Sequence, residues 1–433
     1  MKLYPKKKED LFLPDYIIKA LGNLDWVETT NESIVFHPDD FIFIHYGTRG
    51  STSYSGPKFI RYGSNTTCFQ FYSPKLPDNQ VYLGDGGSGI LEASNMITTK
   101  LFSRGINPFT DSREKISKAL SQISMSFTHY HYDHLHLGLP LTSIAHCNNL
   151  KKYVIGSDNP KQQFKQAFRR PVFPRDFGEI SNAYEFFSIA DARSSVLVFL
   201  PSGEMKCMDV SSFDDICQKQ NPQIKHMGVS YNIEECVASR IYPAYHPDPC
   251  NSFRYETYNS QGEVETACTF VTDHEIQESH ASDIYFSKHL KGSDYVYLDG
   301  QYSMDNYIAG FGHGRVEVVA EIAARLELPY VSIGHHDPSR TDDQIDEMMA
   351  VAKKTYKEKS ENPEGKLLGA RDRMMVFIPG KSRQRKGLVF GRMDVDITGQ
   401  VKDELGEQNK VVGAYNKSDL TTTYKTVDQT STL

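Results

Sequence analysis

The feature that most constrains this chain is an apolar, β-like run, Ile123 to Phe127, that leads straight into Thr128-His129-Tyr130-His131-Tyr132-Asp133-His134. Three imidazoles and a carboxylate within so few positions form a donor set suited to metal ions. His129 and His131 stand at i and i+2, so in extended backbone they point the same way and can share one ion. Asp133 and His134 then turn past them toward a second. From the chain's own His and Asp frequencies, such a pattern arises by chance in roughly one chain per thousand. That rarity weighs against a chance cluster of surface histidines.

The same arrangement recurs along the chain. Strand-like runs end repeatedly on His or Asp: Val81-Tyr82-Leu83 leads into Asp85, Ile123 to Phe127 into His129, and Arg240 to Tyr245 into His246. Ala267 to Thr272 leads into Asp273, Tyr295 to Leu298 into Asp299, and Tyr330 to Ile333 into His335 and His336. α/β folds gather their sites at strand C-termini, whereas strands serving only as scaffold would show no preference for metal-competent residues there.

With 433 residues, the chain is long enough for one large domain with additions, or for two domains. A hydrophobic fraction of 39% with 12% aromatics is that of a globular enzyme and excludes disorder over the whole length. No apolar run approaches the roughly 20 residues of a membrane helix, and Met1 to Asp10 lacks the apolar stretch of a signal peptide. The seven cysteines are scattered and form no CxxC, which argues against a disulfide framework and a thiolate zinc site. A reducing, cytoplasmic setting is the expectation. The net charge of −7 disfavours a long nucleic acid, whose binding is built from many Lys/Arg–phosphate contacts. It remains compatible with a small phosphorylated substrate, because bound cations would dominate the local field. There is no P-loop, GxGxxG or GxSxG, so nucleoside triphosphate hydrolysis, dehydrogenase and serine-hydrolase chemistry have no support.

Residues 1–41 read as an addition, with a short helix from Pro14 and a strand from Glu32 to Phe36. The core domain is expected to span 42–380, with Met374 to Ile378 as its last strand. Within it, 202–235 is polar and without clear period, as an insertion would be. Val316 to Leu328 carries apolar residues at helical spacing. Thr341 is a candidate N-cap for a second helix reaching about Glu358. Lys161 to Arg175 is basic and aromatic, and reads either as a helix with a solvated basic face or as a lid whose cations meet a phosphate. From Lys381 the chain turns polar, and Asn416 to Leu433 is expected to be disordered.

The HxHxDH spacing resembles the signature of the metallo-β-lactamase-fold hydrolases. Gly47-Thr48-Arg49-Gly50-Ser51 and Arg61-Tyr62-Gly63-Ser64-Asn65-Thr66-Thr67-Cys68 resemble the opening of the branch holding cyclic-phosphodiester hydrolases, and are similar to RNase Z. Leu83-Gly84-Asp85-Gly86-Gly87-Ser88-Gly89, Gly138-Leu139-Pro140 and Pro171-Val172-Phe173-Pro174 also fit that pattern. The resemblance implies an α/β fold, the αββα sandwich, in which two mixed sheets pack face to face with helices outside. It implies two divalent ions, with zinc the first choice and manganese or iron as alternatives. By the family's motif order, His129, His131 and His246 would hold one ion, Asp133, His134 and His335 the other, and Asp273 would bridge them. His336 competes with His335 for that place. Asp133 would take part in the chemistry, Asp85 would orient a ligand histidine, and His313, in Gly312-His313-Gly314, would approach the substrate as proton donor or phosphate contact.

The function so implied is hydrolysis of a cyclic nucleotide or related small phosphodiester by a hydroxide bridging the two ions. The alternatives are an RNase Z-like nuclease, a lactone or thioester hydrolase, and a catalytically silent binding protein. The expected partners are the small phosphodiester and a second copy in a homodimer, with no membrane.

Overall fold

The computed structural model describes residues 3–135, 142–171, 173–174, 176–361, 365–383 and 388–392, with short strands at 414–416, 421–423 and 425–426. Gly138-Leu139-Pro140, Val172, Arg175 and most of the polar tail lie outside the described residues, so the expectation of disorder for Asn416 to Leu433 falls largely on residues not described.

Two large mixed sheets make up the core. In the first, Lys425–Thr426, Val389–Arg392, Met374–Ile378, Phe41–Gly47, Cys68–Tyr72, Gln80–Gly84, Gln122–Ser126, Lys151–Gly156 and Tyr184–Ser188 lie side by side in that order. Met374–Ile378 is therefore not the last strand of the core, which the sequence suggested it to be. In the second the order is Met205–Asp209, Ser195–Phe199, Val237–Pro243, Asn251–Tyr258, Val264–Val271, Tyr295–Asp299, Tyr330–Gly334 and Lys366–Gly369. Each sheet is antiparallel at one end and becomes parallel at the other, from Gln80–Gly84 onward in the first and from Val264–Val271 onward in the second.

The period-2 alternation of side chains explains how the sheets stack. Along Phe41–Gly47, Phe41 and Phe43 face the second sheet, while Ile42, Ile44 and Tyr46 face outward beneath helices. Tyr295 and Tyr297 likewise point between the sheets, and Val296 and Leu298 point out. The layer between the sheets is strongly aromatic: Phe69 and Phe270 approach to 4.1 Å between ring centroids, and Phe71 and Tyr255 to 4.2 Å. Outside the first sheet lies the helix Ile90–Ser103, and outside the second lie Val316–Arg325 and Asp342–Lys359. This is the αββα sandwich expected from the metallo-β-lactamase resemblance. Because both faces of each sheet are covered, its strands read as near-continuous apolar runs.

The N-terminal residues cover the outer face of the first sheet. Tyr4–Lys7 pairs with Ser33–Phe36, the helix Asp15–Gly22 buries Ile17 and Leu21, and Trp26 stacks on Phe377 at 5.4 Å. Thr341 caps Asp342–Lys359 in a capping box with Gln344. The segment 202–235 is ordered: Met205–Asp209 becomes the edge strand of the second sheet, followed by the helix Val210–Cys217 and a hairpin of Gln223–His226 with Val229–Asn232. It shows no clear period because its elements are short and bury few residues, chiefly Phe213, Ile224 and Ile233. Among the described residues, no helix is long and apolar enough to cross a membrane.

Candidate metal centre

All six strand endings singled out above meet at one edge of the sandwich. Gln80–Gly84 and Gln122–Ser126 deliver Asp85 and the His129–His134 loop from the first sheet. Val237–Pro243, Val264–Val271, Tyr295–Asp299 and Tyr330–Gly334 deliver His246, Asp273, Asp299 and His335 from the second. Three of these residues leave their strands in the left-handed region, with φ of 53° at Asp85, 49° at Asp273 and 56° at His335. Non-glycine residues adopt that conformation rarely, and where they do it concentrates at functional sites. Here it turns the chain sharply at the strand end, where the side chain must enter the site. Gly50 is required for a related reason: a Cβ there would lie 2.4 Å from His335 Nδ1.

Three groups of donor atoms result: His129, His131, His246 and Asp273; Asp133, His134, His335 and Asp273; and Asp273, Asp299, His313 and His335. In the second group, His134 Nε2 lies 3.0 Å from Asp273 Oδ1, 3.2 Å from Asp133 Oδ2 and 3.3 Å from His335 Nε2. His335 Nε2 lies 3.1 Å from Asp133 Oδ2 and 3.0 Å from Asp273 Oδ1. Four ligands at 2.0–2.1 Å from one tetrahedral zinc would sit about 3.3 Å apart, so this set needs to open by only tenths of an ångström to take such an ion. Asp273 divides between the groups, with Oδ1 toward the second and Oδ2 toward the first, 3.6 Å from His129 Nε2. That is the geometry of a bridging carboxylate.

The nitrogens facing away from these groups are engaged. His134 Nδ1 meets Asp85 Oδ2 at 2.9 Å, His335 Nδ1 meets Gln301 Oε1 at 2.9 Å, and His129 Nδ1 meets Thr128 Oγ1 at 3.1 Å. His246 Nδ1 meets the Asp248 carbonyl at 3.0 Å. His131 bonds Asp248 Oδ2 through Nε2 at 2.9 Å, which leaves Nδ1 as its inward nitrogen. By contrast, His129 Nε2 and His246 Nε2 are buried without a hydrogen-bond partner. Outer nitrogens held by other groups and inner ones turned toward the donor clusters is the pattern of metal-ligating histidines, and the donor set fits divalent ions.

Charge within the centre is strongly coupled. Burial lowers the His134 pKa, but Asp273, Asp133 and Asp85 outweigh it and hold the imidazole well above its ordinary value. Burial also raises the Asp273 carboxyl, yet His134, His335 and His129 bring it well below the usual range. His129, with burial and then His134 acting against its charged form, stays well below the ordinary imidazole value.

The third group is tied together internally: His313 Nδ1 bonds Asp299 Oδ2 at 2.9 Å, and the His313 ring stacks on His335 with centroids 4.8 Å apart. Burial disfavours its cation, but Asp299, followed by Asp273 and Asp133, raises its pKa to about 9. His313 lines an open cavity of about 510 Å³ together with His131, Asp133 and Asp273. Asp85 sits fully buried behind His134, accepting from Thr128 N at 2.7 Å, where it contacts the ligand-candidate ring and does not line the cavity. His336 turns away, to the Ala370 carbonyl at 2.9 Å and an edge contact with Tyr62, while His335 takes the inward place.

Three other features differ from a simple reading of the sequence. Arg49 does not face the cavity: it is fully buried and ties loops together through the carbonyls of Gly63, Asp337 and Arg340. The basic segment does border the cavity, but through Gln163, Gln166 and Ala167 of the helix Pro160–Ala167. Arg170 is instead solvent-exposed and pairs with Glu179. Sequence reasoning gave no role to Asp299, Gln301 or Glu275. The strand-end position of Asp299 was the available signal. Nothing local marks Glu275, whose carboxylate accepts from Tyr307 and from the backbone of Gly310 and Gly312, fixing the loop that carries His313.

The two face-to-face sheets, with the His/Asp centre across their strand ends, decide the architecture. The fold is that of the metallo-β-lactamases. Among solved structures, the chain is similar to the metallo-beta-lactamase fold protein YhfI from Bacillus subtilis, at 14% identity and a TM-score of 0.45, over 78% of this chain and 100% of that one. It is similar to unliganded yeast PDE1 at 13% identity and a TM-score of 0.44, over 78% and 100% of the two chains. It is also similar to a long form RNase Z from yeast at 13% identity and a TM-score of 0.42, over 78% of this chain but 42% of that one. No protein-family model matches the chain, and neither does any curated protein sequence.

Proposed function

We propose that this protein is a dinuclear metal-dependent phosphodiesterase acting on a cyclic nucleotide or related small phosphodiester. The observation that carries this reading is the division of Asp273 between two donor groups, beside a cavity into which a further imidazole, that of His313, faces. Divalent ions, zinc by the chemistry of the donors, would supply Lewis acidity toward phosphoryl oxygens and activate the attacking water. His129, His131 and His246 would hold one ion, Asp133, His134 and His335 the other, with Asp273 shared.

The chain's own residues account for the remainder. His313, its Nδ1 bonded to Asp299, suits an anionic substrate in two ways when protonated: it can pair with a non-bridging oxygen, and it can hand its proton to the departing alkoxide. An uncharged lactone would use only the second. Asp85, Thr128, Asp248 and Gln301 keep the ligand rings in fixed orientation, so little reorganisation accompanies turnover. The cavity, at about 510 Å³, falls in the range of small-molecule sites, and the net charge of −7 weighs against a long RNA.

The test is hydrolysis of cyclic mononucleotides, cyclic dinucleotides and tRNA precursors by zinc- or manganese-loaded protein. Turnover of a small cyclic phosphodiester that is lost with a chelator is expected. Turnover of tRNA precursor alone, or of an uncharged lactone alone, would overturn the proposal.

A further inference from the structure

Two large aromatic side chains stand in solvent at the mouth of the cavity, where the metal chemistry makes no use of them. Tyr132 is 64% exposed and Phe311 is 59% exposed, yet both line the same cavity as His131 and Asp133. Single exposed apolar residues need no explanation, but two aromatics on one small cavity are a different matter. Each is also held in place. Tyr132 lies between two members of the donor groups, so their geometry anchors its backbone. Phe311 lies between Gly310 and Gly312, both at positive φ, and both of their N–H groups donate to the buried carboxylate of Glu275. A side chain at position 312 would collide with the His246 ring, 2.1 Å from its Cβ, so the loop can pass there only as glycine. The aromatics are therefore presented at little further ordering cost.

The helix Pro160–Ala167 contributes amide side chains, Gln163 and Gln166, to the same cavity. Gln163 spends its amide nitrogen on Asp158, at 3.0 Å to the carboxylate, which leaves its oxygen to accept. Gln166 has no hydrogen-bond partner among the described residues and can both donate and accept. Aromatic faces, which bind any base by stacking, combined with a glutamine amide, which can pair with a base edge offering a donor beside an acceptor, make a site suited to a planar heterocycle.

We infer that Tyr132 and Phe311 form a base-stacking subsite, with Gln166 reading the base edge, so that the substrate carries a nucleobase. This rests on the phosphodiesterase reading and narrows it to nucleotide-type substrates. The phosphate end would lie against His131, Asp133 and His313, and the base would lie outward against the aromatic pair.

The experiment compares adenosine 3′,5′-cyclic phosphate with the same ring bearing a methoxy group in place of the base, on wild type, Tyr132→Ala, Phe311→Ala and Phe311→Trp, all metal-loaded. Loss of one stacking face should lower the ratio of kcat/KM for the nucleotide over the base-free analogue by roughly 10- to 100-fold, mainly through KM, with Phe311→Trp restoring most of it. A ratio unchanged in both alanine variants overturns the inference and leaves the phosphodiesterase reading standing. Equilibrium binding of adenosine 5′-monophosphate to the same proteins covers the case in which wild type hydrolyses neither compound. Binding weakened at least tenfold by the alanine substitutions then supports the subsite although the phosphodiesterase reading has failed, and binding that is undetectable or unaltered overturns it.

Discussion

Replacing Asp85 by asparagine alters a single group, yet it should reverse the hydrogen-bond direction behind His134. Asp85 Oδ1 accepts from Thr128 N at 2.7 Å, and Oδ2 meets His134 Nδ1 at 2.9 Å. In the asparagine variant the side-chain oxygen stays with the Thr128 N–H, so the amide nitrogen must face His134 Nδ1. An amide can only donate there, which makes Nδ1 an acceptor and moves the imidazole proton to Nε2. Nε2 is the atom that sits 3.0–3.3 Å from Asp273, Asp133 and His335, so the nitrogen meant for the ion now carries a hydrogen. Losing such an outer partner of a metal-bound histidine costs 10- to 100-fold in affinity, or about 1.4–2.7 kcal/mol. The fold should survive, because Asp85 is already disfavoured as a buried anion and asparagine occupies the same space. Competition with a chromophoric chelator reads the affinity of the weaker site, and far-ultraviolet circular dichroism reads the fold. Zinc affinity in Asp85→Asn within threefold of wild type would refute the claim that Asp85 sets the tautomer of a ligand.

Three further outcomes are expected. His131→Ala should reduce turnover at least ~100-fold with an unchanged circular dichroism spectrum, since the sandwich core buries enough apolar surface to fold by itself; an unfolded variant would instead make the site structural. Gly50→Ala puts a methyl group 2.4 Å from His335 Nδ1 and 2.5 Å from Gln301 Oε1, so calorimetric zinc titration should show affinity down about tenfold or more, and wild-type affinity would show that the His335–Gln301 contact is dispensable. Arg169→Ala with Arg170→Ala should change kcat/KM for a cyclic phosphodiester by less than about threefold, in keeping with exposed charges worth little, because the helix before them turns glutamines to the cavity; a larger loss would restore the basic-lid reading.

Much of this arrangement is legible in the sequence because a strand announces its end. Val81 to Leu83, Ile123 to Phe127 and Tyr330 to Ile333 all lie within the observed Gln80–Gly84, Gln122–Ser126 and Tyr330–Gly334 or overhang them by one residue. A residue of the site follows two positions later in each case, Asp85, His129 or His335. Five histidines and two aspartates converge because parallel strands bring their C-termini to one edge. Side-chain direction is what the sequence does not carry. Nothing in Gly47 to Ser51 says that Arg49 turns inward to carbonyls, or that the helix from Pro160 presents Gln163 and Gln166, not its lysines, to the cavity. Glu275 escapes notice because its partners, Gly310 and Gly312, are more than thirty residues away. The 202–235 segment hides its strand and helix because short, half-exposed elements leave no period.

The central claim is that one shared aspartate joins two metal sites. Metal counted per chain by mass spectrometry, on protein loaded with excess zinc and freed of unbound ions, tests it most directly. The account predicts two equivalents in wild type, because His129, His131 and His246 on one side and Asp133, His134 and His335 on the other each form a set with Asp273. A single equivalent, unchanged when Asp133 and His335 are replaced by alanine, would contradict it.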